Sequence, residues 1–397
     1  MKDVKISDYL WFQEGPGVRN TQYTTSGVKL INVANLVDGN VDLSTSDRYI
    51  SEEEAYGKYN HFLADDGDFV IASSGIKIDY FDKKMGFIKK EHLPLCMNTS
   101  CIRFKVLDTN NLEIKYFMYY LKSNSFKKQL FNQITGSAQL NFGPSHLKKM
   151  TFPLIELKEQ KRIIERLDKT QNIINETKSL LSKYDTLIKS RFIEMFGDPV
   201  QNPMGWEVNQ LTDFIIFLTS GARGWSEYFS KEGDLFLTIK NVKNNKIKID
   251  DVQHIKVPSN KEAERTKVKE NDLLISITAD LGRTGVVSKA IASYGAYINQ
   301  HLSLVRLNMD KINPLFVSYF LETEGGKIQF SKKNQSAVKA GLNFDAIKSL
   351  HLINPPLSLQ NDFAAFVQQI DKSKFAVQKS LEKAETLYKS LMQEYFA

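Results

Sequence analysis

Two segments of this chain carry side chains able to bond the edges of nucleobases. Residues 15–25 run GPGVRNTQYTT, and residues 219–229 run TSGARGWSEYF. A guanidinium forks onto O6 and N7 of guanine, and a carboxamide forks onto N6 and N7 of adenine. Arg19 has the first capacity and Asn20 or Gln22 the second, while Tyr23 could stack or hold a phosphate. In the second segment the candidates are Arg223, Trp225, Ser226 and Tyr228. Ser73, Ser74 and Lys77 follow an apolar run in the first half. Lys240, Asn241 and Lys243 leave one in the second, followed by Arg283 in ADLGRTG. Each of these side chains also has a plainer reading as a solvated loop group, or as a packing aromatic for Trp225 and Tyr228.

Residue sets for catalysis or metal binding are weaker. Asn354-Pro355-Pro356-Leu357 has the start of an amino-methyltransferase loop, in which an asparagine accepts from the target amino group and an aromatic stacks on the flipped base. Here the fourth residue is leucine, and no glycine-rich cofactor loop precedes it. The first half carries Phe152-Pro153 at the same place, so the segment reads as the turn into a helix. Asp65, Asp66 and Asp68 could hold Mg²⁺, but beside Gly67 they read as a turn before a strand. Two cysteines, Cys96 and Cys101, and six scattered histidines offer no zinc spacing. The cysteines are expected to be reduced structural thiols. No Walker A sequence or nucleophile elbow is present.

The 397 residues suffice for two or three domains with full cores. A net charge of +7 points to an acidic partner, most simply nucleic acid, although charge alone also suits a protein that binds no polyanion. Without a long apolar run or a signal-peptide pattern, the chain is expected to be cytoplasmic, with no membrane contact.

The positioning elements are revealed by an internal repeat. LSKYDTLIKSRFIEMF, residues 181–196, recurs as LEKAETLYKSLMQEYF, residues 381–396, with half of the positions identical. Leu140-Asn141-Phe142 recurs as Leu342-Asn343-Phe344. A unit present twice predicts an approximate internal twofold. Strands are predicted over 28–36, 68–74 and 101–107, then again over 234–242, 272–278 and 301–307. Aromatic spacing predicts helices over 113–131 and 314–330. Two long helices follow, one from near Lys158 to the Gly197-Asp198-Pro199 stop, the other from Ser358 as N-cap. The first has the seam Ile163, Leu167, Thr170, Ile174, Thr177, Leu181, Tyr184, Ile188, Arg191, Met195. The second has Phe363, Val367, Ile370, Lys374, Val377, Leu381, Ala384, Tyr388, Leu391, Tyr395. Steps alternating four and three are those of a coiled coil. Matched phase and length favour the helices pairing with each other, antiparallel. Lys374 and Arg191 interrupt the seams and either pair with an acid across the interface or snorkel to solvent. The expected class is α+β: similar mixed domains over 1–152 and 198–355, each followed by a spacer helix region, 153–197 and 356–397.

PLIELKEQKRIIERLD and PPLSLQNDFAAFVQQID at the helix starts, LIKSRFIEMFGDP at the first helix end, and the duplicated domain–helix order resemble the specificity subunit of a type I restriction–modification enzyme over essentially the whole chain. The second helix start departs from the first, with Leu359-Gln360 in place of Glu159-Gln160. The resemblance implies two target recognition domains, each reading half of a split, asymmetric site in double-stranded DNA, with the helices setting the unread gap. It implies no catalysis in this chain. It also implies docking of two methyltransferase subunits that use S-adenosylmethionine on adenine, and of restriction or motor subunits that use ATP and Mg²⁺. The rival readings are a non-catalytic coiled-coil scaffold with two protein- or glycan-binding heads, and a self-contained methyltransferase or nuclease.

Overall fold

A computed structural model describes residues 2–133, 140–333 and 341–397. The chain divides into two compact units, Met1–Lys178 with Lys379–Ala397, and Ser179–Gln378.

In the first unit a four-stranded antiparallel sheet has the order Leu10–Glu14, Cys101–Val106, Phe69–Ala72, Met85–Phe87. A smaller sheet places Val28–Ile31 between Leu95–Met97, which runs parallel to it, and Tyr49–Ile50. The second unit repeats the plan. Its main antiparallel sheet has the order Ile215–Ser220, Leu302–Leu307, Leu273–Ser276, Thr284–Val286. Its second sheet again contains one parallel pair, Asp234–Leu237 with Ala296–Ile298. The class is α+β, as expected from the sequence.

Several predicted elements are shorter, for local reasons. The run 28–36 ends as a strand at Ile31 because Asn32 and Asn35 fold the backbone into a 3-10 turn; the Asn35 carboxamide accepts from the Asn32 N–H at 3.1 Å. The run 234–242 breaks in the same way, with Asn241 accepting from the Thr238 N–H at 2.9 Å. The helix predicted over 113–131 is two, Ile114–Lys122 and Asn124–Gln133, because buried Ser123 caps the second by accepting from the Phe126 N–H. Thr323 restarts Glu324–Lys333 after Pro314–Leu321 by accepting from Gly326 N–H.

The first long helix spans Leu157–Phe196 and the second Leu357–Phe396, each 40 residues, or about 60 Å at roughly 1.5 Å per residue. Gly197 stops the first at φ +79°, a left-handed position where a Cβ would also lie 2.8 Å from Pro203. Ser358 lies inside the first turn of the second helix and is not its N-cap. Pro356 supplies the flanking carbonyl, accepting from the Leu359 and Gln360 N–H groups.

The helix starts are held alike. Buried Gln160 accepts from the Glu113 N–H at 2.9 Å and donates to the carbonyls of Asn111 and Ile155, both at 2.8 Å. Buried Gln360 accepts from the Asn313 N–H at 2.9 Å and donates to the Pro355 carbonyl at 2.8 Å. The departure at Leu359 therefore leaves the structural glutamine intact.

Within each unit the helices pair antiparallel. In the first, Arg166 donates to the Tyr395 hydroxyl at 2.9 Å and Lys178 pairs with Glu385 at 2.8 Å, so partner numbers fall as helix numbers rise. In the second, Asp185 pairs with Lys374, and Phe192 meets Phe363 edge-on at 5.3 Å. Lys374 thus takes the cross-helix acid. Arg191 instead pairs along its own helix with Glu194 at 2.8 Å and covers the Phe366 ring. The seam positions Ile163, Leu167, Ile174 and Ile188 are buried, as are Phe363, Val367, Ile370 and Leu381, while Leu181, Tyr388 and Leu391 are half-buried.

Each core is closed by the last residue of a long helix. Phe396 packs at 5.2 Å on Tyr116 and 6.2 Å on Tyr120, beside Phe152 and Phe117. Phe196 packs at 4.8 Å on Phe316 and 5.6 Å on Phe363.

Phe396→Ala is expected to destabilise the chain by about 3–5 kcal/mol in urea unfolding, through lost burial plus the cavity left behind. Leu387→Ala, at an exposed site on the same helix, is expected to change stability by about 0.5 kcal/mol or less. Burial pushes the Cys96 and Cys101 thiols up to about 12. A thiol reagent at pH 8 is therefore expected to label neither before unfolding, followed by absorbance or mass.

Candidate nucleic-acid interface

At one end of each main sheet three loops are woven together. In the first unit the Gly15 N–H donates to the Cys101 carbonyl at 3.0 Å, and the Thr99 N–H to the Pro16 carbonyl at 3.0 Å. A Cβ on Gly15 would lie 2.1 Å from the Asn98 carbonyl oxygen, so only glycine permits this approach. The Ser73 N–H donates to the Ser100 carbonyl at 2.8 Å, and the Ser74 hydroxyl bonds that of Ser100 at 2.6 Å.

The second unit uses the same weave. The Gly221 N–H donates to the Leu302 carbonyl at 3.1 Å, and a Cβ there would lie 2.1 Å from the Asn299 carbonyl. The Ile277 N–H donates to the His301 carbonyl at 3.0 Å, and the Thr278 hydroxyl bonds His301 Nδ1 at 2.9 Å. The polar triplets Asn98-Thr99-Ser100 and Asn299-Gln300-His301 were not among the sequence-derived candidates. The signal was there: each follows a short apolar strand, and they recur 201 residues apart.

The sequence-derived candidates separate by environment. Arg19, Asn20 and Lys77 are exposed in the first unit, and Arg223, Ser226, Lys240 and Lys243 in the second. These side chains are free to reach a polyanion. Gln22 is half-buried and shapes its own loop, accepting from the Arg19 N–H at 3.0 Å and donating to Glu54 at 2.6 Å. Tyr23 lies under the Arg48 guanidinium, 5.4 Å from the ring centre. Ser74 is tied to Ser100, Tyr228 packs edge-on against Trp225 at 6.1 Å, and Arg283 is paired with Asp280.

Three candidates face inward, which corrects the expectation for them. Ser73 is fully buried beneath the loop weave. Trp225 is 3% exposed, stacked on Phe236 at 5.8 Å, with its indole N–H on Glu262 at 2.9 Å. Asn241 is 3% exposed and spends its carboxamide on backbone, accepting from Thr238 and donating to the Lys248 carbonyl at 2.9 Å. A buried amide wholly used to close a turn has no capacity left for a base.

The acidic cluster folds as a turn. The Asp68 carboxylate accepts from the Asp65 N–H at 2.9 Å and pairs with Arg103 at 3.1 Å, both side chains being buried. Asp272 and Arg306 make the matching pair at 2.7 Å. Among the described residues no three His, Cys, Asp or Glu side chains are placed to hold a metal ion. Among them no helix is long and apolar enough to cross a membrane.

Residues 19–182 and 203–385 each match the type I restriction modification DNA specificity domain. The chain belongs to this family. The two matched segments take in most of each loop weave and most of each long helix, and the chain is a specificity subunit of the type I class. It is 25% identical over 387 residues to the putative type I restriction enzyme MjaX specificity subunit of Methanocaldococcus jannaschii, covering 92% of this chain and 85% of that one. It is 23% identical over 299 residues to the type I restriction enzyme StySPI specificity subunit of Salmonella potsdam, covering 71% of this chain and 64% of that one. The type I restriction–modification S subunit from M. genitalium has a similar fold, with a TM-score of 0.59 at 14% identity, covering 100% of this chain and 96% of that one. The scaffold reading with protein- or glycan-binding heads is not favoured.

Asn241→Ala is expected to destabilise the chain by about 1–3 kcal/mol, since three backbone partners lose their amide. Arg223→Ala is expected to leave the unfolding midpoint unchanged, as for an exposed loop cation. Denaturation of the two variants side by side tests both.

Proposed function

We propose that this chain reads a bipartite, asymmetric sequence in double-stranded DNA and brings it to partner subunits. Each unit reads one half-site through its loop weave, and the paired helices set the unread gap and carry docking surfaces for two methyltransferase subunits. Methylation of adenine from S-adenosylmethionine, and ATP- and Mg²⁺-dependent restriction, belong to those partners and not to this chain. One observation supports the reading above others: the matching loops that follow Gly15 and Gly221 present different exposed side chains, Arg19 and Asn20 in one unit and Arg223 and Ser226 in the other. A shared frame with unlike side chains suits two unlike half-sites.

Mapping N6-methyladenine in a host with and without the gene tests the reading. Loss of one split motif on deletion is expected; an unchanged methylome in a host with an active partner would overturn it. Arg223→Ala is expected to cost about 1–3 kcal/mol of discrimination at one base of one half-site. Equal weakening on all DNA would make Arg223 a phosphate contact instead. Affinity is expected to fall steeply with salt, because neutralised phosphates release counterions. Adding a helical turn to both long helices is expected to change the gap in the methylated motif and leave both half-sites unchanged.

A further inference from the structure

Most side chains assigned to the loop weave are hydrogen-bond donors or cations. Glu14 is not. It is the last residue of the strand Leu10–Glu14, opposite Ile102, and immediately precedes the glycine that lies on Asn98. Its side chain is half-buried. Among the described residues its one bond to another side chain is long, accepting from the Ser73 hydroxyl at 3.5 Å. No lysine, arginine or histidine forms an ion pair with it among the described residues. The neighbouring Gly143 has no side chain to cover it; a Cβ there would lie 3.3 Å from Oε2. Burial raises its carboxyl above the usual range, as expected for an acid whose charge is poorly compensated.

An under-bonded carboxylate at this place has a cost. It weakens its own strand end, and it repels phosphates that Arg19 and Lys77 would attract. Both costs are offset if a donor arrives with the ligand. In the major groove cytosine presents its N4 amino group as a donor, and a carboxylate is the side chain that accepts from it. The corresponding position in the second unit is Ser220, whose carbonyl accepts from Arg265. That end carries a hydroxyl and no acid.

Resting on the reading of this chain as a two-part DNA reader, we propose that Glu14 is a specificity-determining residue of the first unit, accepting from the exocyclic amino group of a cytosine in its half-site. The contact is confined to one base position and one unit. It acts by choice of base, not by affinity, because the same carboxylate disfavours the backbone.

The test complements a deletion host with the wild-type gene, Glu14→Gln or Glu14→Ala, and maps N6-methyladenine in each. Wild type is expected to restore a split motif with cytosine at one half-site position. Glu14→Ala is expected to relax that position by about tenfold or more, with the other half-site unchanged. Glu14→Gln keeps the shape but adds an amide donor, and is expected to move preference toward a base that presents an acceptor. The purified Glu14→Ala chain is expected to bind non-specific duplex more tightly than wild type. An unchanged motif in both variants overturns the assignment, as does complete loss of methylation by a variant that melts like wild type. Should Glu14→Ala fail to fold, the near-isosteric glutamine variant decides. Failure of wild type itself to restore any split motif would sink the functional reading instead, which separates the two.

Discussion

The structure depends on the burial of two aromatic helix ends. Phe196 and Phe396 are the last residues of 40-residue helices, and each is sealed in a cluster of aromatic rings. Residues 379–397 complete the first unit although they lie some two hundred residues from most of it. Anchoring an end in a core fixes where the helix stops. The glutamine at the start, buried and bonded to backbone in both helices, fixes where it begins. A helix pinned at both ends has a defined length, because its rise per residue is constant. The seam between the helices then needs only to keep its phase, and alternating steps of four and three do so.

The same economy governs the recognition end. A glycine lying on an asparagine carbonyl, Gly15 on Asn98 and Gly221 on Asn299, brings a strand end and two loops into backbone contact. Backbone bonds hold this weave, so the side chains on it are free to differ. They do differ: Ser100 in one unit stands where His301 stands in the other, and Glu14 where Ser220 stands. Asn35 and Asn241 show the complementary case, since the same buried amide closes the same turn in both units. Side chains that bond backbone recur, and those that face solvent diverge.

Much of this was legible in the sequence. The repeat gave the duplicated order, the heptad steps gave the helix faces, and Gly197 followed by Pro199 marked a stop. These signals are local or periodic, so a linear string carries them. The boundaries inside the domains were not legible. An apolar run such as 28–36 looks like one strand until Asn32 and Asn35 are seen to bond each other's backbone. A stretch of aromatics looks like one helix until Ser123 caps a second start.

Which polar side chains face outward was beyond the sequence as well. Arg223 and Trp225 lie two residues apart in one promising loop, yet one is exposed and the other stacked on Phe236. Asn241 and Lys243 divide in the same way. The sequence by itself determined the family, the duplication, and the phase and approximate ends of the long helices, because these rest on short-range periodicity and chain punctuation. Tertiary structure alone decided which amides and aromatics were used up in closing the fold. Glu262 reaches Trp225 from a separate helix, Lys261–Thr266, and Lys248 reaches Asn241 only once Val242–Lys243 and Lys246–Ile247 have paired.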